Sequence, residues 1–425
     1  MAEQLLSILR RNSDRALFWL IPLFLLIDGV NGALLQFTGN SFALSALYKL
    51  SLLTLMAVSL ATVQPRQLAA IVVLLLLLLL GPALYWPALP LRWPLADLQL
   101  ALKAVSPLLA FYYLYSLQQR EPDRSKLLCR YTLYFSALIL LLNTLAGLAG
   151  FGFTAYQPLD GVAQSFLGIK GFFYSTNELS AVLLVLSCAL LLLSWPRSKV
   201  LYGLLSALSL MIAVLLLTKT GLFGVLLLVV LIPLLMQQRQ FWQQHKLAVG
   251  VALVLLLLSA LLVMLNGESL LRLLGIYDKL VFVYQQRGIS GILLSSRDYY
   301  AEQIWQVLAQ YFSDWQRALG VGQGSIALYL KKYFAELDWF DLLVFHGVAG
   351  LAVLLLTFSV FLRHSWQVRN NGIGRCLLLL NLLLLLVSSV AGHIITSGML
   401  WLPWALCNAL LLRSMQSSKT ELERA

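Results

Sequence analysis

Charge is what this chain has least of. Only 11% of its 425 residues are charged, and acids are the rarer sign, with 18 Asp and Glu against 30 Lys and Arg. Such a composition excludes a soluble globular protein: a water-facing surface must be largely polar, whereas 60% of these residues are hydrophobic and the mean hydropathy is +0.84. Cysteine is scarce too. Cys129, Cys188, Cys376 and Cys407 fall in or beside apolar runs without CxxC spacing, which argues against a disulfide framework and a thiolate metal site. The four histidines form no HxxxH or HExxH pattern, and no DxD occurs outside the apolar runs, so neither metal nor cofactor is expected.

What is present is length of apolar run. Stretches such as "AAIVVLLLLLLLGPALYW" and "LAVGVALVLLLLSALLVML" are long enough to cross a hydrocarbon core of about 30 Å. The spacing predicts an all-α polytopic membrane protein with about twelve spans. They fall near 16–36, 42–63, 67–87, 99–118, 127–150, 174–195, 199–217, 220–237, 246–265, 340–362, 374–394 and 397–413. The basic N-terminus precedes an apolar run too long for a signal peptide, so that run reads as a retained first span. The chain divides into 1–265 with nine spans, a large loop at 266–339, and 340–425 with three more.

Orientation follows from the basic loops. "ILRRNSDR", "QPRQ", "QQREPDRSK", "WPRSK", "QQRQFWQQHK", "RHSWQVRNNGIGR" and the tail all fall on one side, and carry more than half of the 30 Lys and Arg. That side is expected to be cytoplasmic, both termini included. The same bias accounts for most of the +12 net charge, which in a soluble protein would suggest nucleic acid. The opposite side receives the large loop. In it "SSRDYYAEQIWQVLAQYF" has amphipathic helical spacing, "ALGVGQGS" reads as a glycine-rich turn, and "IALYLKKYFAELDWF" reads as a second helix feeding the next span. No repeat relates the two halves, which counts against an inverted-repeat transporter.

Against this background certain charges stand out. Lys49, Lys103, Lys170 and Lys219 lie in the outer halves of apolar runs or in short polar breaks between them. A lysine near the bilayer centre costs about 2.5–3.5 kcal/mol on insertion scales, so each needs snorkelling to headgroups, a carboxylate, or an anionic ligand. With Arg297 and Arg287 they make a cationic group suited to a diphosphate, which Arg grips as a planar fork and Lys as a point charge. Pairing of the arginines with Asp298, Asp278 or lipid phosphate is the plainer alternative. Asn177 and Glu178 open the sixth span, where helix-start chemistry accounts for Ser175 or Thr176 better than for Glu178. Asp28 and Asn31, midway through the first span, are expected to hydrogen-bond between helices. His346 and His393 lie in or at the ends of spans, where packing is the ordinary role of a lone histidine.

Glu336, Asp338 and Asp341 stand within six residues at the mouth of the tenth span. On a helix Asp338 and Asp341 share a face while Glu336 points elsewhere. They either balance Lys331 and Lys332 or include a general base facing the cationic group. A carboxylate shielded by spans gains basicity, and can take a proton from a sugar hydroxyl while Arg and Lys neutralise a departing diphosphate.

In order, spacing and placement, "KGFFYSTNELSAVLL" (170–184), "LTKTGLFGVLL" (217–227), "SSRDYYAEQIW" (295–305), "LGVGQG" (319–324) and "ELDWFDLLVFHGVAGL" (336–351) resemble the superfamily of bacterial O-antigen ligases and Wzy-type O-antigen or capsular polysaccharide polymerases. The resemblance implies a GT-C-like, metal-independent enzyme of the inner membrane, acting at the periplasmic face. Its donor and acceptor partners would be undecaprenyl-diphosphate-linked oligosaccharides, with a chain-length regulator as a candidate protein partner. It implies that Lys170, Lys219 and Arg297 grip the donor's phosphates. Asp338 or Glu336 would be the base, Asp341 its support, and Tyr299, Asn177, Glu178, Arg287, Lys103, Lys49 and His393 further contacts. The ligase branch carries a histidine just before this span, where "YLKKYFAELDWFD" has only acids, and that departure favours a polymerase over transfer to lipid A-core. A lipid-linked-oligosaccharide flippase is the alternative of another class.

Overall fold

The computed structural model describes residues 2–40, 42–156, 167–237, 268–269, 272 and 277–422. Helices α1 (Ala2–Leu20) and α2 (Phe24–Thr38) run on through a short 3-10 turn. They are followed by α3 (Leu44–Val63), α4 (Pro65–Ala83), α5 (Arg92–Arg120), α6 (Pro122–Leu148), α7 (Thr176–Ser194), α8 (Lys199–Leu216) and α9 (Lys219–Met236). Next come α10 (Tyr277–Leu294), α11 (Arg297–Tyr311), α12 (Asp314–Leu319) and α13 (Gly322–Ala327). Three more close the chain: α14 (Asp338–Gln367), α15 (Gly372–Val390) and α16 (Trp401–Leu422). A two-stranded antiparallel ribbon, β1 (Phe153–Thr154) and β2 (Ile169–Gly171), lies between α6 and α7.

Among the described residues ten helices are long and apolar enough to span a membrane, with a shorter apolar stretch at Trp401–Leu411. Eleven of the expected spans thus have a helix, and the protein is an all-α polytopic membrane protein. The expected span 246–265 lies outside the described residues. Prolines mark several helix starts: Pro65 and Pro122 occupy the first turns of α4 and α6, where the missing N–H costs nothing. Ser175, Ser198 and Thr218 cap α7, α8 and α9 by accepting from backbone N–H groups.

Helices α5 and α7 are the most buried of the spans, and α16 packs along α5. Lipid tails are as apolar as leucine, so buried polar contacts and close packing, not burial alone, fix which helix faces meet. Asp14 on α1 accepts from Ser59 of α3 at 2.7 Å and pairs with Arg120 of α5 at 3.0 Å. Asn381 on α15 donates to Asn408 at 2.8 Å and accepts from Trp404 Nε1 at 2.8 Å, locking α15 to α16. Asp28 pairs with Lys49 at 2.6 Å and Ser45 also donates to it, so α2 and α3 are joined by the interhelical bonding expected of it.

Segment 297–345 folds onto the bundle through a second apolar core. Ile304 and Leu308 of α11, Val321, Ile326, and Phe340, Val344 and Phe345 of α14 are all buried there. One expectation is corrected. Residues 328–337 are not a helix feeding the span but an irregular crossing, because Asp341 accepts from the Ala335 N–H and Glu336 takes a left-handed φ of 63°. The end of α12 and Gly320 seat against a break in α14 at Gly347, whose φ is 62°. A Cβ at Gly347 would meet the Ala318 carbonyl oxygen at 2.1 Å. Gly347→Ala is therefore expected to lower the thermal unfolding midpoint in detergent by several degrees, the left-handed backbone alone costing roughly 1–3 kcal/mol. An unchanged midpoint would remove this contact from the account of the fold.

Candidate functional site

With the helices alternating in direction, the ends near residues 38, 83, 148, 216 and 390, and the starts at 44, 92, 176, 219, 338 and 401, share one face. Glu178, Lys219, Asp338 and Asp341 stand at the helix starts on that face. At its centre is the non-helical segment 391–400, which joins α15 to α16.

Asp338, the first residue of α14, is 1% exposed. One carboxylate oxygen accepts from the His393 N–H at 2.9 Å and the Thr396 hydroxyl at 2.7 Å. The other accepts from the Ser388 hydroxyl at 2.8 Å and the N–H groups of Ile394 at 2.8 Å and Ile395 at 3.2 Å. Five donors occupy the lone pairs that a base would use. Asp341, equally buried, accepts from the backbone N–H of Ala335 at 2.9 Å. Both acids face inward, and each folds an outer segment onto the start of α14.

Glu336 differs. Its carboxylate lies 3.4 Å from Arg297 Nη2 and 3.2 Å from Lys332 Nζ, with the side chain 30% exposed. Burial alone would raise its pKa, but the charges of Lys332, His393 and Arg297 outweigh this and hold it below the usual glutamate range. Arg297 opens α11 after Ser295 and Ser296, both at positive φ. It is itself buried, and its Nε–H has no partner among the described residues. Lys219, at the start of α9, donates to the Ile292 carbonyl and to Ser295 Oγ at 3.3 Å, which ties it to the turn that presents Arg297. Arg287 lies over the Tyr299 ring at 4.5 Å and Lys332 over Tyr300 at 3.9 Å. The sequence-predicted residues Arg297, Glu336, Lys219, Arg287 and Tyr299 are thus brought together.

A second group sits deeper. Lys49, Lys103 and Glu178 line a cavity of about 520 Å³ with Asp28 and Asn31. Glu178 accepts from the Ser397 hydroxyl at 2.7 Å and the Met399 N–H at 3.1 Å. His393 interacts electrostatically with both Glu178 and Glu336, so segment 391–400 stands between the two groups. Lys170 is held elsewhere, by the Tyr174 carbonyl at 2.8 Å and the rings of Phe153 and Tyr174, and burial lowers its pKa. Asn177 is half-buried in the first turn of α7. His346 is fully buried, its Nδ1 at 2.8 Å from the Leu78 carbonyl.

Sequence reasoning passed over Lys332, taken as a partner for acids, and the "HIITSGM" segment, part of it assigned to spans. Its signal was the run of Gly, Thr and Ser, residues suited to turns and backbone-binding, interrupting two apolar stretches.

Residues 97–272 match the family model of O-antigen ligase like membrane proteins. The matched stretch holds "KGFFYSTNELSAVLL" and "LTKTGLFGVLL", two of the motifs that carried the resemblance. It supports a membrane protein of glycan processing, and a glycosyl-transfer enzyme. No curated protein and no solved structure matches.

The two kinds of acid separate by experiment. Asp338→Asn leaves five donors facing a weaker acceptor, and should destabilise the purified protein by about 3 kcal/mol, the range for a buried charged hydrogen-bond hub. Glu336→Gln should leave the unfolding midpoint within a degree or two. Equal melting of both variants with wild type would contradict the structural role given to Asp338.

Proposed function

We propose that this protein is a Wzy-type polysaccharide polymerase of the bacterial inner membrane. It moves an undecaprenyl-diphosphate-linked glycan onto a second lipid-linked repeat unit at the periplasmic face. The observation that carries this is the Arg297–Glu336–Lys332 group, in which a partly exposed carboxylate and two cations meet on the face opposite the basic loops. Arg297, whose Nε–H has no partner among the described residues, and Lys332, assisted by Lys219, would hold the donor's diphosphate. Lys170 stands further out as a contact to the same carrier.

Glu336 is the better candidate for the base, since the lone pairs of Asp338 are occupied. At rest the cations hold Glu336 ionised and weakly basic. A diphosphate bound by Arg297 and Lys332 would draw their charge away from Glu336, so its basicity rises when donor is present. The carboxylate then takes the proton of an acceptor hydroxyl as the hydroxyl oxygen bonds to the anomeric carbon. The diphosphate departs with the electron pair of the broken bond, stabilised by the same cations.

The ligase alternative shares the donor and differs only in acceptor, and the family model's description keeps it open to test. In a polymerase-deficient strain, wild type should restore a gel ladder of surface polysaccharide. Glu336→Gln and Arg297→Ala, at matched expression, should collapse it to core plus one repeat. Loss of every repeat would point to ligation or flipping, and a full ladder from both would sink these assignments.

The pH dependence follows from the depressed Glu336 pKa. The group is ionised through the neutral range and protonates only below its ordinary value of 4.5. The acid limb of kcat/KM for transfer in vesicles, which follows the free enzyme, should therefore lie below pH 4.5, and Lys332→Met should move it upward. A limb unmoved by that change would remove Lys332 from the site.

A further inference from the structure

The cavity beneath segment 391–400 has a composition unlike that of the Arg297 group. Two ammonium groups, Lys49 and Lys103, share it with two carboxylates, Asp28 and Glu178. Lys49 is already paired with Asp28 at 2.6 Å. Lys103 and Glu178 both approach Gly398 on the cavity wall. The formal charges cancel, so a diphosphate entering here would meet carboxylates as well as ammoniums. The atom left wanting a partner is an acceptor: Asp28 Oδ2 is buried with no hydrogen bond among the described residues, on a side chain 7% exposed. An anion has no proton to give it, whereas a hydroxyl does.

The rest of the wall agrees. Asn31, Gln99 and Ser175 supply neutral amide and hydroxyl groups, and Trp401, Phe173 and Tyr174 supply ring surface. Sparse, convergent polar groups in a largely apolar cleft of several hundred Å³ are the ordinary make-up of a small-ligand site. Carboxylates and ammoniums together can accept from and donate to neighbouring hydroxyls of one ring.

We infer that this cavity binds a neutral, hydroxyl-rich saccharide segment, and that Lys49 and Lys103 are saccharide contacts, not phosphate grips. The assignment rests on the glycan-transfer reading above and deepens it. Phosphate is held at Arg297 and sugar beside Glu178, with segment 391–400 between them.

Gly398 offers a clean test. A methyl there would lie 3.4 Å from Lys103 Cε, 3.5 Å from Lys49 Nζ and 3.8 Å from Glu178 Oε2, ordinary contacts that fill the space between the three heads without displacing backbone. The probes are inorganic pyrophosphate and the oligosaccharide released by mild acid from the producing cell's lipid-linked pool. Each is titrated by calorimetry and saturation-transfer NMR against the full-length protein in nanodiscs. Gly398→Ala should weaken oligosaccharide binding at least about tenfold with an unchanged unfolding midpoint; Asp28→Asn, which also loosens the Lys49 pair between α2 and α3, should weaken binding as much at temperatures below its lowered midpoint. Neither should alter pyrophosphate binding, which Arg297→Ala should abolish.

The inference is overturned by pyrophosphate displacing the oligosaccharide, by Gly398→Ala binding it as wild type does, or by phosphatidylethanolamine that copurifies with wild type being lost from Asp28→Asn without any oligosaccharide affinity. The last would make the cavity a phospholipid site. An intact ladder in cells with no saccharide binding sinks this inference alone. Saccharide binding with no dependence of the ladder on the protein sinks the polymerase reading alone.

Discussion

The arrangement of the outer face depends on one carboxylate. Asp338 gathers three consecutive backbone N–H groups and the Thr396 hydroxyl from the chain between α15 and α16, and the Ser388 hydroxyl from the end of α15. Those backbone donors have no helix of their own to bond within, and in a membrane an unsatisfied N–H costs several kcal/mol. Asp338 meets that need from the start of α14, where the helix dipole favours a negative charge. Irregular backbone can therefore persist among the spans, and it is this backbone that carries His393, Ser397 and Gly398 to their places.

Two polar groups are held on either side of that segment. On the outer side Glu336 meets Arg297 and Lys332, and on the inner side Glu178 meets Ser397 and Met399 of the same segment. Their charge differs in kind. The outer group has more cation than acid and a guanidinium with a donor to spare, while the cavity is balanced and its spare atom is an acceptor. Such a division suits a reaction whose substrate has a charged carrier end and a neutral sugar end. The Asp28–Lys49 pair shows how an intramembrane lysine is made tolerable: it is neutralised locally by a carboxylate one helix away.

The fold was legible in the sequence because the signal is large. Runs of twenty apolar residues leave few alternatives, and eleven of the expected spans correspond to helices. The charges at 297 and 336 were legible as members of one group, since few polar residues exist and the topology places them on one face. The roles within the acidic trio were not legible. Helical spacing groups Asp338 with Asp341, yet what distinguishes them from Glu336 is the donors they meet: those of Asp338 come from residues fifty or more positions away, and that of Asp341 is the Ala335 N–H of an irregular crossing. The stretch 328–337 misled for a similar reason. Its apolar periodicity suits a helix, but Asp341 captures the Ala335 N–H and turns the chain.

By itself, then, the sequence determined the place of eleven spans and the poverty of charge that makes each outer lysine and acid conspicuous. These are local properties, set by composition over some twenty residues at a time. Only the tertiary structure decided that Asp338 is a hub and Glu336 a partly exposed partner of Arg297. It also decided that Lys49 and Lys103 face carboxylates across a cavity. A hydrogen bond falls away within a few tenths of an ångström, and nothing in the linear order fixes distances between residues that far apart.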